Sequence, residues 1–253
     1  MLFPDECRIC QRALTGWTRV PVCAECLKSP QPLEAEFFCA SCHTPFVNDY
    51  PLDGHGVCAA CREGLRGFDR AASFGFYEGS LRRLIHLFKY NGMRPLAKPL
   101  ARFLERAIPI DQAFDAVVPV PLHWRKQWQR GFNQAELLAR YVARRRRVPL
   151  LAALKRKRST AVQASLASAG RRRNVAGAFE IRAKAAVAGK KILLVDDVMT
   201  TGATASACAS VLKRAGAQSV SLVTLARVDR RAPSGESGVR ARKGDQYQTD
   251  ADL

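Results

Sequence analysis

The chain of 253 residues contains no run of about eighteen apolar residues, which excludes a membrane-spanning helix. Its opening, MLFPDECRIC, has no basic stretch followed by an apolar one, so no secretory leader is expected. The sequence also lacks G-x-x-x-x-G-K-[ST] and G-x-G-x-x-G, which takes support from P-loop and dinucleotide-binding readings. Between Glu136 and Glu180 no acidic residue occurs. Composition is otherwise that of a globular protein, 47% apolar and 25% charged. The length admits one large domain or two modest ones. A cytoplasmic location is expected, and there nine cysteines read as metal ligands before disulfides.

The net charge of +19 is unevenly spread. Residues 1–68 carry −2, residues 69–228 carry +21, and residues 229–253 balance. Twelve Lys or Arg residues fall between Arg140 and Arg173, unopposed. Such a face attracts phosphate, on a small ligand or along a nucleic-acid backbone. The alternative is a solvated surface kept soluble by its charge.

Eight cysteines form four Cys-x-x-Cys pairs: Cys7 with Cys10, Cys23 with Cys26, Cys39 with Cys42, and Cys58 with Cys61. CRICQRALTGWTRVPVCAEC and CASCHTPFVNDYPLDGHGVCAAC read as two copies of one unit. Each pair can offer two thiolates to a tetrahedral ion, and two pairs close a four-cysteine site, so two Zn2+ are expected. The repeat favours pairing in sequence order, and the similar gaps leave a crossed arrangement open. The spacers hold few large aliphatics, so this segment needs metal to fold. His43 and His55 are expected on the surface.

After Phe68 the pattern changes. Leu81, Leu84, Ile85 and Phe88 make one helical stripe ending near Asn91-Gly92, and Leu96 to Ala107 reads as a second helix. Ala116 to Val120 is a short buried strand, and Asn133 caps a helix carrying Leu137, Leu138, Tyr141 and Val142. Leu150 to Leu154 is a candidate strand, followed by a long basic loop over 155–177. Lys191 to Val195, Thr204 to Ala215 and Ser219 to Ala226 read as strand, helix, strand. Two continuously apolar strands around a helix indicate an α/β fold with a parallel sheet covered on both faces. Cys208 falls among Val211, Leu212 and Ala215 as a core residue. The predicted division is 1–68 as a cysteine module, 69–228 as the sheet domain, and 229–253 as a polar, disordered tail.

The most specific stretch is ILLVDDVMTTGAT, residues 192–204. A strand enters two adjacent carboxylates, then a small hydroxyl-rich turn, then a helix. In a parallel sheet that turn lies at the edge where ligands bind. Its N–H groups and the helix N-terminus cradle an anion, Thr200, Thr201 and Thr204 add hydroxyls, and Gly202 admits close approach. Asp196 and Asp197 would repel phosphate but suit vicinal ribose hydroxyls or a magnesium ion on the same ligand. The site therefore expects a sugar phosphate.

This string resembles the 5-phosphoribosyl-1-pyrophosphate (PRPP) motif of type I phosphoribosyltransferases. From about Cys7 to Arg227 the chain is similar to the ComF family of competence proteins. The marks are the Cys-x-x-Cys module, Leu87-Phe-Lys-Tyr90, Val118-Pro-Val-Pro121 and Arg130-Gly-Phe-Asn-Gln134, followed by Arg156, Gln163, Leu166, Arg171 and Asn174. The resemblance implies a type I phosphoribosyltransferase fold after a double zinc ribbon. It implies Asp196 and Asp197 on the ribose hydroxyls, Mg2+ shared with the pyrophosphate, and the 5′-phosphate in Met199, Thr200, Thr201, Gly202, Ala203 and Thr204. Pro121 and His123 would lie on the pyrophosphate side with Arg156 and Arg171 of a closing loop. Gly170 departs from the family, which often has an acidic residue there, and so bears on how that loop docks.

Two functions follow. One, implied by the resemblance, is a DNA-uptake protein that binds PRPP, handles single-stranded DNA in natural transformation, and works with a DNA-uptake helicase or other competence proteins. Bases and aromatics interleave from His123 through Trp124, Arg125, Lys126, Trp128 and Arg130 to Phe132, and could stack nucleobases along a phosphate track. The alternative for Trp124, Trp128 and Phe132 is one apolar helical stripe in the core. The other function is a Mg-PRPP-dependent transferase acting on an amine or base. No convincing general base is present, since Glu136, the nearest spare carboxylate, is expected to face solvent.

Overall fold

The computed structural model describes residues 6–14, 19–63, 65, 67–157, 177–182, 184 and 186–229. Most of the long basic loop, including Arg171, and the tail from residue 230 lie outside the described residues. The cysteine-rich segment holds α1 (Ala24–Lys28), β1 (Phe37–Phe38), β2 (Pro45–Phe46) and α2 (Ala59–Arg62). There follow β3 (Arg70–Phe76), α3 (Gly79–Tyr90), α4 (Ala97–Ala107), β4 (Ala116–Pro119), α5 (Trp124–Arg130) and α6 (Gln134–Arg146). The chain continues through β5 (Leu154–Arg156), β6 (Phe179–Ile181), β7 (Lys191–Met199), α7 (Ala203–Arg214) and β8 (Ser219–Arg227).

Four parallel strands form the main sheet in the order β3, β8, β7, β4. Successive strand residues point to opposite faces. Val117, Leu193, Val195, Val223 and Leu225 share a core with the apolar stripes of α3, α4 and α6. Ala116, Val118, Ile192, Leu194, Val220 and Leu222 share the other with α7 and the β5–β6 ribbon. Both faces are thus covered, which is why Ile192 to Val195 of β7 read as an unbroken apolar run and why even Ser221 and Thr224 of β8 are buried. The two cysteine clusters divide the same way. Cys7, Cys23 and Cys26 belong to the α3–α4–α6 side, and Cys39, Cys42, Cys58 and Cys61 to the α7 side.

The helices end where their sequence allows. Leu81, Leu84, Ile85 and Phe88 are buried along α3, which closes at Asn91. Asn133 caps α6 by accepting from Ala135 N, and Gly131, at φ +72°, ends α5. Cys208 is fully buried in α7, as expected.

One strand escapes the sequence pattern, and two expectations change. RAASFGF does not look like a strand, since small residues dominate it. It is held as β3 by its ladder with β8 and by a buried hydroxyl contact, Ser73 Oγ to Thr224 Oγ1, at 2.7 Å. The strand expected at 150–154 touches the sheet edge only at a Leu150–Val117 bridge. Pairing resumes in an antiparallel ribbon, where Lys155 and Lys157 both meet Glu180, so the loop expected from 155 opens as a strand. His43 is half-buried and not fully on the surface: it stacks on Phe38 at 4.2 Å and burial pulls its imidazole below the ordinary value. His55 is exposed.

Candidate functional site

The cysteines gather in sequence order. The ligand atoms of Cys7, Cys10, Cys23 and Cys26 lie within 4.8 Å of one another, and so do those of Cys39, Cys42, Cys58 and Cys61. Backbone N–H groups point at the sulfurs, as Cys23 N does at Cys7 Sγ (3.3 Å) and Cys58 N at Cys39 Sγ (3.3 Å). At Cys7 burial opposes ionisation, but N–H donors led by Cys23 outweigh it and bring the thiol down to about 6. In the second cluster, hydrogen bonds from Cys39, Cys58 and Cys61 hold the Cys42 thiol well below its ordinary value, while hydrogen bonds with Cys39, Cys42 and Cys58 push Cys61 up. Thiols so placed cannot all ionise without a cation among them. The donor sets fit a thiophilic ion, and either cluster could hold a metal.

On the sheet, β7 runs on past the expected Val195 and carries Asp196 and Asp197 at its C-terminal end. Met199 closes the strand, and Gly202, at φ +75°, caps α7. The left-handed backbone favours glycine at 202, and a Cβ there would stand 2.8 Å from both Leu65 Cδ1 and Met199 Cε, which would have to shift. Met199, Gly202 and Ala203 are buried, Thr201 and Thr204 are half-buried, and Thr200 is exposed. Met199 and Ala203 thus anchor the turn, and Ala203 N donates to Thr201 Oγ1 at 3.4 Å.

Asp196 Oδ1 accepts from Asp197 N at 2.8 Å. Burial, then the Asp197 charge, pushes the Asp196 carboxyl up to about 7, against the pull of Lys89 and Arg156. Asp197 Oδ1 lies 2.9 Å from Lys89 Nζ, and both side chains are largely buried. Burial disfavours the Lys89 ammonium, but Asp197 and Asp196 outweigh it. Lys89 is the site residue that composition and spacing did not single out. Its only trace is the Leu87-Phe-Lys-Tyr90 string.

Beside β7, Val120 N donates to Val195 O at 2.9 Å, and Pro121 and His123 follow. His123 is buried, and its Nδ1 accepts from Arg125 N at 3.3 Å as the cap of α5. Asn133 Nδ2 donates to Val120 O at 3.1 Å and so ties this segment to α6. Arg156 lies with its guanidinium 5.3 Å over Phe179; burial lowers its pKa, and the Asp196 charge is among those that oppose this. One end of the sheet thus assembles Asp196, Asp197, Lys89, the turn from Met199 to Thr204, Pro121 and His123. Arg156 is close enough to feel Asp196. Glu136 is exposed and pairs with Arg140 at 3.1 Å, one turn along α6, as expected.

An aromatic and basic surface adjoins this end. Trp124 is 64% exposed, Trp128 86% and Tyr90 63%. Arg125 stands 5.2 Å over Trp124 and Arg130 5.0 Å over Tyr90. A cavity of about 380 Å³ lies among Lys89, Tyr90, Gly92, Gln129 and Arg130. Phe132 is buried beside Phe88, at 5.4 Å. The single stripe of Trp124, Trp128 and Phe132 therefore does not form, because Gly131 ends the helix before its third member.

A parallel sheet with a carboxylate pair, a glycine turn and a helix at the end of a central strand defines a phosphoribosyltransferase-like α/β domain. The family described as "Phosphoribosyl transferase domain" matches residues 129–249. The relatives add the cysteine segment. "DNA utilization protein YhgH" of Escherichia coli O157:H7 is 32% identical over 236 residues, 90% of this chain and 99% of that protein. "Competence protein F" of Haemophilus influenzae is 30% identical over 206 residues, 75% of this chain and 90% of that protein. "Competence protein ComFC" of Streptococcus pneumoniae is 31% identical over 167 residues, 66% of this chain and 71% of that protein. The chain belongs to the ComF/YhgH family. Among the described residues no helix is long and apolar enough to cross a membrane.

Proposed function

We propose that this protein binds Mg-PRPP at the end of β7 and handles single-stranded DNA in natural transformation or DNA utilization. The observation that carries the first half is the Gly202 turn, with two carboxylates before it and the α7 N-terminus after it. Asp196 and Asp197 take the ribose hydroxyls. The N–H groups from Met199 to Thr204 and the hydroxyls of Thr200, Thr201 and Thr204 take the 5′-phosphate. Pro121, His123 and Arg156 stand on the pyrophosphate side, where the arginine offsets negative charge. The carboxylates also supply the hard oxygen donors that suit Mg2+, which carries charge to the pyrophosphate when bound. The two four-cysteine clusters hold Zn2+.

The DNA half rests on exposed Trp124, Trp128 and Tyr90 with arginines over two of the rings, inside a region of strong positive charge. Such rings stack bases and such cations follow a phosphate chain. The names borne by the relatives point the same way. Binding of a labelled single-stranded oligonucleotide should weaken steeply as salt rises from 50 to 200 mM, in the range of about 10-fold or more for a few neutralised phosphates. A flat response would remove the DNA half.

A transferase reading is favoured by one feature, the cavity beside Lys89 and Tyr90, which could admit a planar acceptor next to PRPP. Release of pyrophosphate with a candidate base or amine would establish it. Binding without release leaves PRPP as a bound regulator.

A further inference from the structure

The second cysteine cluster and the phosphate turn are one packed unit. Arg227, the last residue of β8, is only 1% exposed. Its Nη1 donates to Cys42 O at 2.8 Å and its Nη2 to Thr44 Oγ1. Thr44 Oγ1 in turn lies 2.9 Å from Cys42 Sγ. In the sheet, Arg227 stands opposite Met199, and Val228 N donates to Met199 O at 3.0 Å. A guanidinium buried this deeply is bound to its acceptors, because withdrawing them leaves an uncompensated charge.

A second path runs from Cys61. Leu65, four residues on and 3% exposed, presses its methyl groups against Gly202. Gly67 continues along α7, where a Cβ would stand 2.5 Å from Ser210 Oγ and 2.6 Å from Ser206 O. Ser41 O also accepts from Ala71 N of β3 at 2.9 Å. The first cluster lies on the other face, where Ile9 O accepts from Arg83 of α3 at 3.2 Å.

We propose that the second four-cysteine site is a positioning element of the phosphate turn. Gathering Cys39, Cys42, Cys58 and Cys61 on a metal fixes the Cys42–Thr44 and Cys61–Leu65 segments. Arg227 and Leu65 pass that geometry to Met199 and Gly202. The consequence for ligand binding rests on the reading of the turn as the PRPP phosphate site; the coupling itself does not.

Hydrogen exchange of the full-length metal-loaded protein, read by mass spectrometry over residues 199–204, tests it. In Cys58→Ser with Cys61→Ser, amides of the turn should exchange at least tenfold faster than in wild type. Those of α6 should be unchanged. Cys7→Ser with Cys10→Ser should leave the turn as it is. Arg227→Lys keeps the charge but cannot span both acceptors with one rigid fork. It should loosen the turn while retaining two metal equivalents, so it carries the test even if the cysteine variant unfolds. An unchanged turn in Arg227→Lys, or an equal loosening by the first-cluster variant, overturns the proposal. Mg-PRPP titration of the same wild-type sample decides the ligand reading separately, since the exchange result does not depend on it.

Discussion

Lys89 Nζ lies 2.9 Å from Asp197 Oδ1, so α3 and β7 meet through one largely buried ion pair at the mouth of the turn. Lys89 also bears on Asp196, whose carboxyl it helps to ionise. A single cation from the helix thus offsets charge on both strand carboxylates.

A double-mutant cycle of Lys89→Met and Asp197→Asn measures that link. Each single variant leaves a largely buried charge without its partner, so each should destabilise more than the pair together. A coupling energy of about 1–3 kcal/mol is expected, retained in 0.5 M salt because pairs shielded from solvent are screened less. Denaturant unfolding of the four proteins provides the values.

Asp196 should impose a pH-dependent penalty on the free protein. Its carboxyl titrates near 7 when folded, because burial and Asp197 outweigh Lys89 and Arg156. In the unfolded chain it titrates near the ordinary value of about 3.9. Between these limits the folded state holds a proton that the unfolded chain has lost. Stability therefore falls as pH rises through this window, and the loss is complete above about 7. Asp196→Asn, which can still accept from Asp197 N, should be more stable than wild type at pH 8, by about 1 kcal/mol or roughly 2–4 °C in Tm. At pH 4 the two melting curves should converge.

Gly202→Ala should lower stability by about 1–3 kcal/mol, since alanine disfavours the left-handed backbone and meets Leu65 and Met199. The same variant should bind PRPP more weakly by displacing the N–H groups of the turn. Thermal melts and calorimetric titration report the two effects.

Trp124→Ala and Trp128→Ala should each weaken single-stranded DNA binding by about 1–3 kcal/mol, the range for one stacked base, with Tm nearly unchanged. Phe132→Ala should do the reverse, because that ring is buried beside Phe88. Anisotropy at fixed salt, paired with thermal melts, separates surface from core.

The parts legible in the sequence were those with a strict local rule. Four Cys-x-x-Cys pairs announce two clusters by spacing alone, and the structure settles their order. Strand, acidic pair, threonine turn and helix are contiguous, so residues 192–204 read directly. The stripe of α3 and the Asn133 cap are likewise local. What escaped depends on distant partners. Arg70–Phe76 is a strand because β8 lies beside it, and its own Ser, Ala and Gly do not say so. Lys89 and Asp197 are 108 positions apart, and only the packing of α3 on the sheet joins them. Arg227 looks like one more base in a basic domain, yet it is buried against the Cys42 loop. His43 shows the same limit, since its neighbour Phe38 and the packed cluster, not its position after Cys42, draw it inward.

Titration of Mg-PRPP into wild-type protein and into Asp196→Ala with Asp197→Ala tests the central claim most directly. Saturable binding by wild type, weakened at least tenfold in the double variant while both proteins retain their metals and fold, is the predicted result. Equal affinity in the two proteins, or no binding by wild type, would contradict the assignment of the β7 carboxylates and the Gly202 turn to PRPP.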